Sequence, residues 1–69
     1  MVDARGLSCP IPVLRVQKAI ESEHPAKLEV LLDNETAVQN VRRFAMHAGY
    51  AVEIRELEDD EFSLVLTKA

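Results

Sequence analysis

Cysteine is nearly absent: Cys9 stands alone in 69 residues, so no internal disulfide can form. Nothing staples the fold, yet 48% of the residues are apolar, which fits a reducing, cytoplasmic setting. Long hydrophobic runs are missing too. No stretch approaches the length of a membrane span, and Met1 to Arg5 leads into folded-looking sequence instead of a signal peptide. His24 and His47 are the only histidines and neither has a ligand spacing to Cys9, so no metal and no cofactor are expected. Basic excess is lacking as well. The net charge is −4, which speaks against direct nucleic-acid binding, because phosphate contacts need a basic surface. That charge is uneven. Residues 1–48 are balanced, whereas residues 49–69 set Arg55 and Lys68 against Glu53, Glu56, Glu58, Asp59, Asp60 and Glu61. Solvation of a sheet edge and a turn accounts for this acidity.

No repeats, linkers or low-complexity segments interrupt the chain, so residues 1–69 are expected to form one domain. A chain this short buries only about 60% of its unfolded surface, which calls for a simple fold. Val2 to about Arg5 reads as a short strand closed by Gly6. Pro10 to about Glu23 reads as a helix, because proline at the first helical position loses only an N–H that has no partner anyway. Val13, Val16, Ala19 and Ile20 form its inward stripe. Pro25 ends it by driving the preceding residue out of helical space. Leu28–Leu32 is a strand. Asn34 suits the N-cap of a second helix reaching Ala48, with Thr36 and Gln39 as an alternative capping pair. Its inward stripe is Ala37, Val41, Phe44, Ala45 and Ala48, and Gly49 fits the left-handed cap. Val52–Arg55 and Phe62–Thr67 alternate as a hairpin around the polar turn Glu58–Glu61.

The order β-α-β-α-β-β, with right-handed crossovers, puts both helices on one face of a four-stranded mixed sheet. The expected architecture is a two-layer α/β (α+β) sandwich. Its other sheet face, carrying Leu31 and Val65, stays open to solvent or a partner, and the chain is expected to be a monomer or weak dimer.

Cys9 directly precedes Pro10-Ile11-Pro12 and the first helix. A sulfur at a helix N-terminus meets unpaired N–H groups and the positive end of the helix dipole, which favour the nucleophilic thiolate. With Cys9 as N-cap, and Pro12 lacking an N–H, the Ile11 amide is the expected donor to sulfur, assisted by Val13. The two prolines stiffen this turn. Arg5, Arg15 and Lys18 are near enough in sequence to add positive potential. A free cysteine is most often a small buried hydrophobe; Ser8 before it and the proline-led helix after it turn the reading toward an exposed, reactive sulfur. One such sulfur without a second cysteine suits a group carrier better than a disulfide exchanger.

The stretch Asp3-Ala4-Arg5-Gly6-Leu7-Ser8-Cys9-Pro10-Ile11-Pro12-Val13-Leu14 resembles the Cys-Pro-X-Pro signature of TusA/SirA-type sulfur carriers. The segment Leu32 to Ala45, with its Asp33-Asn34 and Asn40-Val41-Arg42-Arg43-Phe44 pattern, is closest to the YedF-like subgroup. The resemblance covers essentially the whole chain and implies the same two-layer fold. It implies a small cytoplasmic protein whose Cys9 receives sulfane sulfur as a persulfide from a cysteine desulfurase or rhodanese-like donor and passes it to an acceptor protein. Pro10, Ile11, Pro12, Arg5 and Gly6 would support that site. Arg15, Lys18, Arg42 and Arg43 are candidates for docking an acidic partner, or ordinary helix-surface charge. The second helix departs from the branch that ends in tRNA 2-thiolation, so that endpoint is not carried over. Selenium handling and a non-catalytic binding module remain alternatives. A peroxide-reducing thiol enzyme is disfavoured by the missing resolving cysteine.

Overall fold

The chain runs β1 (Val2–Asp3), α1 (Ile11–Glu23), β2 (Lys27–Leu32), α2 (Glu35–His47), β3 (Tyr50–Glu56) and β4 (Phe62–Lys68), the order expected from the sequence. It is described here from a computed structural model covering residues 2–8 and 10–68. The sheet order is β1-β2-β4-β3. β1 pairs parallel with β2, and β4 pairs antiparallel with both β2 and β3. After α2 the chain therefore skips one sheet position, and β4 returns to fill it.

Alternation along the two central strands makes the layer on which both helices pack. Leu28, Val30 and Leu32 of β2 are buried beside Leu64 and Leu66 of β4. Val16 of α1 and Ala37, Val38, Val41 and Ala45 of α2 close over them. Burying apolar area contributes roughly 25 cal/mol per Å², so this cluster is the main source of stability. Val38 joins the core although the expected stripe omitted it. Ala48, expected to face inward, is exposed: α2 ends at His47, Ala48 is its C-cap, and Gly49 follows at φ +89°. Tyr50 is buried, and its hydroxyl donates to the Pro25 carbonyl at 2.7 Å, pinning the start of β3 to the loop after α1.

The β3–β4 turn is closed by the Glu61 N–H donating to the Glu58 carbonyl at 3.2 Å. Asp59 and Asp60 both sit at φ 59°, the primed geometry whose twist matches a hairpin. On the sheet face away from the helices, Leu31 and Val65 are half-buried among Glu29, Ser63 and Glu53. The Ser63 hydroxyl donates to Glu29 there at 2.9 Å. Among the described residues no helix is long and apolar enough to cross a membrane.

Candidate functional site

β1 and β2 run parallel, so the segments leading into α1 and α2 leave the sheet at the same end. In open α/β sheets that end is where ligands gather. The segment after β1 is held there by its backbone. The Ala4 N–H donates to the Leu31 carbonyl at 2.9 Å, extending β1's pairing past the strand itself, and Ala4 is buried. Gly6 then takes φ +76°, a left-handed conformation that glycine adopts without strain. Its N–H donates to Asp33 Oδ2 at 2.6 Å.

Asp33, which the sequence offers only as part of the Asp33-Asn34 pattern and not as a site residue, ties the two helix entrances together. Its Oδ1 accepts from Asn34 Nδ2 at 3.2 Å. Asn34 caps α2, its Oδ1 accepting the Ala37 N–H at 2.7 Å, as the sequence predicts. The adjacent Asp-Asn pair thus anchors the first loop with one side chain and starts the second helix with the other.

Cys9, the proposed carrier residue, lies outside the described residues, and its neighbours define the entrance to α1. The helix begins one residue later than expected. The first helical ladder bond is Leu14 N–H to the Pro10 carbonyl at 3.1 Å, which makes Pro10, not Cys9, the N-cap. The Ile11 N–H, expected to donate to sulfur, donates instead to the Ser8 carbonyl at 2.9 Å. That contact occupies the Ile11 N–H ahead of the first helical ladder bond, which is the physical reason for the shift. Pro12 is buried and has no N–H, so Val13 supplies the remaining first-turn amide. Among the described residues no side chain caps α1, and its first turn holds no acid.

Arg5 does not add free positive charge here. Its Nε and Nη2 reach the Asp3 carboxylate at 2.9 and 2.8 Å, and Nη1 reaches Glu61 at 3.3 Å. The Arg5 guanidinium, helped by the Arg5 backbone N–H, holds the Asp3 carboxyl down at about 2, and Asp3 in turn raises the Arg5 pKa further. Arg5 thus works as a clamp between β1 and the β3–β4 turn.

The four candidate docking cations do not share one surface. Arg15 and Lys18 line a shallow groove with Val2, Asp3 and Ala19, between α1 and β1. Arg42 and Arg43 line a separate depression on α2 with Gln39, Met46 and His47. Two apolar side chains near the α1 entrance are unusually open. Ile11 is 39% exposed and Leu14 is 50% exposed. Leu14 falls off the Val13–Val16–Ile20 stripe, and that offset is the sequence signal for its exposure.

The sequence model of the family described as "Sulfurtransferase TusA" matches residues 1–68. A protein of Methanocaldococcus jannaschii, provisionally named a sulfur carrier, is 38% identical over 97% of this chain and 91% of its own length. The sulfur carrier protein TusA of Allochromatium vinosum is 28% identical over 99% of this chain and 91% of its own. The crystal structure of a SirA-like protein from Desulfitobacterium hafniense superposes with a TM-score of 0.86 at 34% identity, covering 96% of this chain and 92% of that one.

Proposed function

This chain belongs to the sulfurtransferase TusA family, and from that premise we propose that it carries sulfane sulfur as a persulfide on Cys9 between a donor and an acceptor protein. In the loading step the Cys9 thiolate attacks the outer sulfur of a donor persulfide. A new S–S bond forms on Cys9, the donor's S–S bond breaks, and the donor cysteine leaves as its thiolate. Unloading repeats the exchange with an acceptor nucleophile, and Cys9 departs as thiolate. Neither step needs an external oxidant or reductant. The donor is a cysteine desulfurase or rhodanese-like protein, and the setting is the cytoplasm.

The observation that supports this reading is the entrance to α1, which opens directly after residue 9 with no side-chain cap among the described residues and no first-turn acid. Such an entrance favours an incoming anion, thiolate or persulfide alike. Exposed Ile11 and Leu14 beside it, with Arg15 and Lys18 further along α1, give a partner an apolar contact edged by positive charge. Pro10 and Pro12 restrict the turn, so little backbone freedom is lost when a partner docks.

Incubation with a cysteine desulfurase and free cysteine, followed by intact-mass measurement, tests the proposal. The wild type gains one sulfur, and Cys9→Ser gains none. Equal loading of both proteins would remove Cys9 from the role. If this chain were instead a binding module acting through Arg42, Arg43 and Met46, Cys9→Ser would keep its cellular effect and Arg43→Glu would lose it.

A further inference from the structure

β3 is the long free edge of the sheet, because β1 at the opposite edge spans only Val2–Asp3. In an antiparallel sheet the N–H and C=O of one residue point to the same side, and successive residues alternate. Lys68 donates its N–H to Ala26 on the β2 side at 2.8 Å, so Leu66, Leu64 and Phe62 also turn their backbone groups toward β2. Their partners Val52, Ile54 and Glu56 on β3 therefore aim N–H and C=O groups outward at the free edge. An edge of this length is a template for another strand.

We propose that this edge pairs with the same edge of a second copy of the chain, antiparallel and centred on Ile54, so that two sheets become one. Ile54 lies on the helix-bearing side of the sheet, yet it is 40% exposed. On a two-fold axis through it, Ile54 meets Ile54 of the second copy, and Val52 meets Glu56 of the second copy. On the other side of the sheet, Glu53 stands opposite Arg55 of the second copy, and Leu57, 44% exposed, stands opposite Ala51 of the second copy. Within one copy Glu53 and Arg55 already pair at 2.8 Å, so the axis joins two such pairs into a cluster of alternating sign. Sliding the strands one step either way would set Glu53 against Glu53 or Arg55 against Arg55. Like charges directly opposite are unfavourable. The charge pattern therefore selects a single register, and an isologous two-fold contact closes after two copies. The open sheet face, which the sequence leaves to solvent or a partner, has its two large apolar residues, Leu31 and Val65, already half-buried.

Sedimentation equilibrium over a wide concentration series tests this, with circular dichroism to verify folding. The wild type behaves as a reversible monomer–dimer. Ile54→Lys weakens association by about tenfold or more, a change of about 1.4 kcal/mol. Glu53→Arg alone weakens it as well, and the double swap Glu53→Arg with Arg55→Glu restores it, while Val65→Lys has no effect. Glu53 and Arg55 are exposed, so the swap leaves the core intact even if Ile54→Lys disturbs folding. A monomeric mass at every concentration overturns the proposal. So does a dimer broken by Val65→Lys and not by Ile54→Lys, or a double swap that associates no better than the single one. None of these positions lies at the α1 entrance, so sulfur loading reports separately on Cys9.

Discussion

α2 starts with Asn34, whose Oδ1 accepts the Ala37 N–H, and Glu35 adds negative charge to its first turn. α1 starts with Pro10, whose side chain can accept nothing, and no acid follows. Both helices have 13 residues and both leave the same end of neighbouring parallel strands. Each therefore presents about half a positive charge at its N-terminus. At α2 the chain supplies the anion itself. At α1 no described residue supplies one, and the sequence runs Cys9-Pro10-Ile11-Pro12 there instead. A cap contributes about 1 kcal/mol, so α1 forgoes local stability and keeps its N-terminal potential for something else. The two ends divide the labour: one holds the fold together and the other is left open for chemistry.

Asp33 serves both ends, and its removal should have the largest effect. Asp33→Ala deletes the acceptor of the Gly6 N–H and of Asn34 Nδ2. Hydrogen bonds to charged groups contribute about 1.5–3 kcal/mol, and this half-buried site should lose about 2 kcal/mol in a urea titration. Sulfur loading should slow as well, because Gly6 no longer fixes the approach to Cys9. Unchanged loading would show that the tether is structural only. Asn34→Ala is next, at about 1 kcal/mol. It should leave loading at the wild-type rate, since it removes the α2 cap and one bond to Asp33 but leaves Asp33's bond to the Gly6 N–H in place. A loading defect in Asn34→Ala would erase the distinction between the two helix ends.

The parts that sequence could reveal are those whose cause is local. Phe62, Leu64 and Leu66 alternate because one side of β4 meets helices, and Asn34 announces its cap because the amide it accepts is three residues away. Strand order is a different kind of fact. A period of two reports which face a residue takes, not which strand lies beside it, so the insertion of β4 between β2 and β3 was not legible. The Gly6–Asp33 bond joins residues 27 apart, beyond any local pattern. The start of α1 was misplaced by one residue because two prolines satisfy helix-start preferences equally well, and only the Ser8–Ile11 contact decides between them. The pairing of Arg5 with Asp3 has a cause readable in the sequence. Asp3 lies two positions earlier and, in extended chain, on the same side.

Supplying α1 with the anion it lacks should produce a smaller change of opposite sign. Ile11→Asp puts a carboxylate at the first helical position, where the residue is exposed and no core contact is lost. A favourable dipole interaction there is worth about 0.3–1 kcal/mol, so the urea midpoint should rise. The same carboxylate competes with a thiolate at residue 9. Iodoacetamide alkylation followed against pH should therefore shift to a higher midpoint, and loading should slow. A rise in stability without any shift in alkylation would mean that the cysteine does not sense this helix end.

The smallest effect belongs to the clamp at the start of the same loop. Arg5 holds the Asp3 carboxyl at about 2, below its ordinary 3.8. A carboxylate with a depressed folded pKa stabilises the fold fully above its unfolded value and loses that contribution as pH falls from 3.8 through about 2. Both partners are well exposed, so solvent and salt screen the pair and the change is slight. Other carboxylates also titrate in this range, so the informative quantity is the difference between wild type and Asp3→Asn. Melting temperatures of the two should converge as pH falls through that window, and added salt should narrow the gap above it. A constant gap at every pH would mean that Arg5 acts through packing between β1 and Glu61's turn, with its charge irrelevant, and α1's entrance would then owe nothing to ion pairing.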